Sequence, residues 1–180
     1  MTGAVIVASQ NLDQHPGGCE EMPYFIPMMP LDCTSVIKRE IHILRKCQIS
    51  PIIVVCGYQT ELLRNHLSHN GVIFCEDKAY AVHSYYESLA LGLKAAQGLA
   101  ERVVAVPVEC PAFSSDVIGR LCREEMASAA CFEGRRSRIM TVDLPGCRYM
   151  ELLAGDCHTG EEALAILGVE HDTETGDAGI

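Results

Sequence analysis

Short apolar runs rich in β-branched residues alternate along the chain with amphipathic stretches whose apolar positions recur every three or four residues. Ala4-Val5-Ile6-Val7-Ala8 reads as a buried strand, followed by a long polar loop containing His15-Pro16-Gly17-Gly18. From Thr34 or Ser35, either able to cap, apolar positions at Val36, Ile37, Ile41 and Leu44 predict a helix ending near Cys47. The continuous run Pro51 to Cys56, closed by Gly57, suits a strand covered on both faces. A helix over Thr60–Leu67, a strand over Val72–Cys75, a helix over Ser84–Ala96, a strand over Val103–Val106 and a helix from Ser114-Ser115-Asp116 to Met126 complete the repeat. Four strand–helix alternations predict an α/β fold with a mainly parallel sheet and helices on both faces, binding ligands at the strands' carboxyl ends after Ala8, Cys56 and Val106. Beyond residue 127, Ala129–Phe132, a Gly-Arg-Arg turn and Ile139–Val142 predict a small hairpin, with a last helix over Thr159–Leu167. The acidic tail from Glu170 shows no periodicity and reads as a frayed terminus or the start of a truncated segment.

Composition narrows the class. One domain over residues 1–180 is expected from the length, and no apolar run is long enough to span a bilayer or serve as a signal core, which points to the cytoplasm. Ten cysteines without a C-x-x-C pair read as free thiols in a reducing compartment. A formal charge of −10 argues against nucleic acid and anionic membrane as partners.

Several local stretches are similar to the MobA-like NTP transferases, the molybdenum-cofactor nucleotidyltransferase type. Ile26-Pro27-Met28-Met29-Pro30-Leu31-Asp32-Cys33-Thr34-Ser35-Val36-Ile37 resembles that family's K-P-L-L-P-L-x-G-x-x-V-I, with Ile26 at the lysine position. Ile53–Tyr58 resembles its I-V-V-V-T-G-Y, and Ser88–Leu93 its S-L-x-x-G-L helix. Val106–Phe113 resembles L-P-x-D-x-P-L-F, whose aspartate binds magnesium; Glu109 stands there, one methylene longer. Glu133–Arg138 resembles a G-R-R-G-H-P turn near the acceptor, and Gly176–Ile180 the run before a final D-x-D-T segment.

The resemblance implies a Rossmann-like sheet of the nucleotide-diphospho-sugar transferase type. It also implies Mg²⁺-dependent transfer of a nucleoside monophosphate from an NTP to a small phosphorylated cofactor or sugar precursor. Carried over by position, nucleotide would meet Ala8, Ser9, Gln10, Gly17, Gly18, Gly57 and Ser88; the acceptor would meet Arg135 and Arg136; and Glu109 would hold the metal. No catalytic residue is assigned, because the lysine position is Ile26. Phosphate chemistry calls for cations beside the triphosphate, yet no Lys or Arg precedes Lys38, whereas Asp13, Glu20, Glu21 and Asp32 do. His15, Lys38, Arg39, Arg135 or Arg136 could supply the missing charge, although Lys38 and Arg39 also read as a solvated helix face. Asp13 and Asp32 are secondary metal candidates. Met22, Met28 and Met29, interleaved with Tyr24 and Phe25, form either core or an adaptable apolar patch. His66 and His69 read as a solvent-facing pair, and Tyr85 and Tyr86 as one core and one rim residue. Two functions follow: an impaired transferase, or a non-catalytic module of the same fold that senses a ligand or contacts another domain or protein.

Overall fold

In the computed structural model, residues 1–9, 25–155, 157, 159–177 and 179 are described. Strand β1 (Thr2–Ala8) precedes a 3-10 turn (Ile26–Met28) and a two-residue hairpin, β2 (Pro30–Leu31) and β3 (Thr34–Ser35). Then come α1 (Val36–Lys46), β4 (Ile52–Cys56), α2 (Thr60–His66), β5 (Ile73–Glu76), α3 (Tyr85–Ala96), β6 (Arg102–Pro107) and α4 (Ser115–Arg123). The chain closes with β7 (Ser128–Phe132), β8 (Arg135–Asp143), α5 (Tyr149–Leu152), α6 (Gly160–Leu167) and β9 (His171–Glu174). The sheet order is β5-β4-β1-β6-β8-β7-β9. β1, β4, β5 and β6 are parallel, β8 runs antiparallel between β6 and β7, and β9 pairs parallel with β7.

Alternation along β1 divides the core. Ala4, Ile6 and Ala8 face Ile37, Ile41 and Leu44 of α1 together with Leu63, Val117 and Ile118. Val5 and Val7 face Leu89 and Leu93 of α3 with Leu152 and Leu164. Period-two alternation in a strand and a helical stripe on each side produce helices on both faces. Gly92 permits the closest approach on the second side: a Cβ there would collide with Val5 and lie 2.8 Å from Val55 Cγ2. Gly92→Ala is therefore expected to lower stability by roughly 1–3 kcal/mol through overpacking, measured by urea unfolding.

The clearest helix starts are α3 and α6. Ser84 with Glu87 and Thr159 with Glu162 form reciprocal capping boxes, and Gly168 (φ 74°) ends α6 in the left-handed region. The caps expected at α1 and α4 are not made by serine hydroxyls. Ser35 Oγ instead meets His66 Nε2 at 2.8 Å, tying α2 to the start of α1, so His66 is a staple rather than half of a solvent-facing pair. The Ser114 amide donates to Asp177 Oδ2 at 3.2 Å.

Two further expectations are corrected. α4 stops at Arg123 and not at Met126, because Arg102 takes the carbonyls of Glu124 and Glu125 while pairing with Asp143. The tail is not frayed: His171–Glu174 forms β9, and its inward side chains are threonines. Thr173 Oγ1 donates to Ser128 Oγ at 3.0 Å and Thr175 Oγ1 to the Cys131 carbonyl at 3.2 Å, so polar side chains are buried with partners. Among the described residues no helix is long and apolar enough to cross a membrane.

Candidate active site

The carboxyl ends of β1, β4, β5 and β6 converge at one edge of the sheet. At β1, Ala8 and Ser9 are buried; the Ser9 carbonyl accepts from the Tyr58 amide at 3.0 Å, while Ser9 Oγ has no hydrogen-bond partner among the described residues. Gly57 closes β4 where the backbone is crowded: a Cβ would strike Tyr80 and come within 2.8 Å of the Ser9 carbonyl. Tyr58 lies edge-on to Phe25 (5.9 Å) and tilted against Tyr80 (6.4 Å), forming a row of rings beside this junction. Phe25, Met28 and Met29 pack against the core as partly buried residues, as does Ile26.

Asp77, at the exit of β5, is a buried hub that sequence reading missed. Its carboxylate accepts from Ser88 Oγ at 2.7 Å and from the Ala79 amide at 3.0 Å, and His83 Nδ1 lies 2.9 Å away. These bonds fix the turn carrying Tyr80 and dock it on α3. Ser88, a candidate contact in the sequence, is fully buried and its hydroxyl is engaged by Asp77. An isolated Asp in a loop gives no sign of this in sequence; only the spacing to a buried Ser on the next helix could have suggested it.

The loop after β6 carries Glu109, with the Val108 amide bonded to the Val7 carbonyl at 3.2 Å. Glu109 Oε2 is buried and accepts no hydrogen bond among the described residues, with Arg138 Nη2 3.9 Å away. Arg138, near the start of β8, places its guanidinium 5.0 Å over the ring of Tyr85. Tyr85 is the core residue of its pair, donating its hydroxyl to the Arg138 carbonyl at 3.2 Å, and Tyr86 sits at the rim. Behind the loop lies Glu40 of α1, fully buried, with neither carboxylate oxygen hydrogen-bonded among the described residues. Burial, then the charge of Glu109, raise its pKa well above the ordinary glutamate value, opposed by Arg39. Burial pushes the neighbouring Cys110 thiol up as well.

Beside this edge, Arg138, Arg136, Ser137, Tyr86 and Thr159 line an open cavity of about 740 Å³. Arg136 is paired with Asp172, whereas Arg135 is exposed and absent from the lining. Arg39 donates to the Pro111 and Phe113 carbonyls, so it braces the Glu109 loop. Gln10, Asp13, His15, Gly17, Gly18, Glu20, Glu21, Met22 and Tyr24 lie outside the described residues. Among those described, no group of three or more His, Cys, Asp or Glu is arranged to hold a metal ion. A single carboxylate suffices where substrate phosphates and water complete an octahedral shell, and the Glu109 oxygen, which accepts no hydrogen bond among the described residues, fits that requirement.

These features define a nucleotidyltransferase-type fold with its site at the sheet's carboxyl edge. The chain belongs to the MobA-like NTP transferase domain family, whose model matches residues 27–170. It is similar to a nucleotidyl transferase from Methanothermobacter thermautotroptrophicus, with 18% identity, a TM-score of 0.76 and coverage of 97% of this chain and 87% of that one. It is also similar to 4-diphosphocytidyl-2C-methyl-D-erythritol synthase from Anaerococcus prevotii, at 14% identity and TM-score 0.72 over 96% and 86% of the two chains. A third similar structure is Rv0371c from Mycobacterium tuberculosis in complex with manganese, at 13% identity and TM-score 0.69 over 96% and 88%. No curated protein matches the chain at a significant level.

Proposed function

We propose that the protein binds a nucleoside triphosphate across the carboxyl ends of β1, β4 and β6. It transfers the nucleoside monophosphate to a small phosphorylated cofactor or sugar precursor in the cavity beside β8. The observation that carries this reading is a set of buried oxygens at one edge that accept no hydrogen bond among the described residues: Ser9 Oγ, both oxygens of Glu40, and Glu109 Oε2, which has only the longer contact with Arg138. Buried polar atoms are normally satisfied, and several along one edge of the sheet favour a ligand that supplies the missing partners.

Glu109 offers one oxygen to a divalent cation, in the first instance Mg²⁺, and the manganese bound by the mycobacterial neighbour supports divalent metal use. When bound, the cation neutralises charge on the transferring phosphoryl oxygens. The nucleotide lies against the junction where the Tyr58 amide bonds the Ser9 carbonyl and Tyr80 packs over Gly57. Arg136 and Arg138 exchange their present carboxylate contacts, Asp172 and Glu109, for the acceptor's phosphate and hold it for in-line attack on the α-phosphorus as pyrophosphate leaves. Thr159, which caps α6, lies in the same wall.

A second reading, a non-catalytic module that senses a ligand or contacts a partner, is favoured by Ile26, packed at the core where the family carries lysine. Ile26→Lys separates the two. Calorimetric titration with CTP, GTP, ATP and UTP is expected to show one nucleotide binding about tenfold or more tighter to the variant, the gain of one charge-assisted phosphate contact. No gain for any nucleotide would favour the non-catalytic module.

A further inference from the structure

On the outer face of α1, away from Glu109, a second cavity of about 450 Å³ is lined by Lys38, Arg39, His42 and Arg45 together with Thr34 and Asn70. Lys38, His42 and Arg45 stand at i, i+4 and i+7, so they share one stripe of the helix, with Arg39 beside them. No carboxylate is part of this lining, although the chain carries 24 acids against 14 Lys and Arg. Five other arginines, Arg102, Arg120, Arg136, Arg138 and Arg148, have carboxylate partners; among the described residues the four basic residues of this cavity have none.

The guanidinium groups are held from behind by neutral carbonyls. Arg45 donates to the carbonyl of Asn70, and Arg39 to those of Pro111 and Phe113. Such bonds restrict the side chains without cancelling their charge. Lys38 also helps hold the pKa of His66 below its ordinary value, after burial, so its positive field extends over this end of α1. Basic groups gathered around a hollow are favourably neutralised when an anion occupies it.

We propose that this cavity binds the phosphate groups of a small phosphorylated molecule, at a site separate from the Glu109 edge. Its volume falls within the range of small-ligand pockets, and although Cys33 and Ile41 and the stems of the basic side chains give it apolar surface, its charged groups are all basic, which suits an anionic ligand. Arg39 joins the two sites physically. It lines the cavity and braces residues 111 and 113, so an anion that draws on its guanidinium acts on the loop carrying Glu109. The binding claim stands without the transferase reading; only the link through Arg39 to Glu109 depends on it.

The test is calorimetric titration of inorganic pyrophosphate in EDTA, which keeps divalent metal from recruiting the anion to Glu109. It is run on the wild type, Lys38→Glu/His42→Glu, the milder Lys38→Gln, and Arg138→Ala. The expected result is one-site binding that weakens about tenfold or more in the double variant, weakens less in Lys38→Gln and is unchanged in Arg138→Ala. Amide chemical shifts should move at Thr34, His42 and Asn70, and at Ala112 through Arg39. The proposal is overturned if the wild type takes up no pyrophosphate at millimolar concentrations. Binding that survives in both Lys38 variants also overturns it, as does binding lost in Arg138→Ala with shifts confined to Ser9 and Glu109.

Discussion

Replacing Glu40 by glutamine is expected to stabilise the metal-free protein, by an amount that grows as pH rises. Glu40 is fully buried on α1, accepts no hydrogen bond among the described residues, and its pKa is raised by burial and by the charge of Glu109. Below the unfolded-state value near 4.5, the carboxyl is protonated in both states and contributes no pH dependence. As pH climbs past that value the unfolded chain releases the proton while the folded chain keeps it. Stability therefore falls by up to about 1.4 kcal/mol per pH unit until the raised folded pKa is reached, where the loss levels off. Glutamine has nearly the same shape and cannot ionise, so it removes this slope. Chemical unfolding in EDTA should give similar stabilities for wild type and Glu40→Gln near pH 4, with the variant increasingly ahead as pH rises, until the difference levels off at the raised folded pKa. Parallel curves would mean that Glu40 is not held protonated by its surroundings.

Replacing Glu109 by glutamine is expected to remove the metal-dependent part of nucleotide affinity, with a loss of roughly tenfold to hundredfold, the size of one or two charge-assisted contacts. On the proposed reading the Glu109 carboxylate lends one oxygen to the cation, and the neutral amide is a far weaker ligand for a hard metal. Affinity measured in EDTA should change little, because the junction of Ser9, Gly57 and Tyr58 is untouched. Comparing titrations with and without Mg²⁺ thus separates loss of the ion from general damage. Equal losses in both conditions would place Glu109 in structural support of its loop.

The parallel half of the sheet was legible because burial on both faces leaves continuous apolar runs, as in Ile52–Cys56, and amphipathic helices leave stripes, as in α1. β9 was not, because Thr173 and Thr175 enter the core as hydrogen-bonded hydroxyls and leave no apolar alternation. The end of α4 depended on Arg102, more than twenty residues upstream, capturing two carbonyls, which no local pattern records. At the candidate site, Glu109 and Gly57 stood out because strand ends carry the chemistry in this architecture. Asp77, Glu40 and Arg138 act through burial and through contacts across strands and helices, and periodicity is silent about both. Arg39 shows the same limit: a cation on a helix reads as solvated, yet it braces a loop more than seventy residues away.

The most direct test of the central claim is a thermal-shift titration of the intact chain with CTP, GTP, ATP and UTP, each with and without Mg²⁺. A ligand that binds only the folded state raises apparent stability by mass action. The account predicts that one nucleotide raises the melting temperature and that this shift requires, or is markedly enlarged by, the metal. No shift with any nucleotide at millimolar concentrations, with or without Mg²⁺, would contradict a working transferase site at this edge of the sheet.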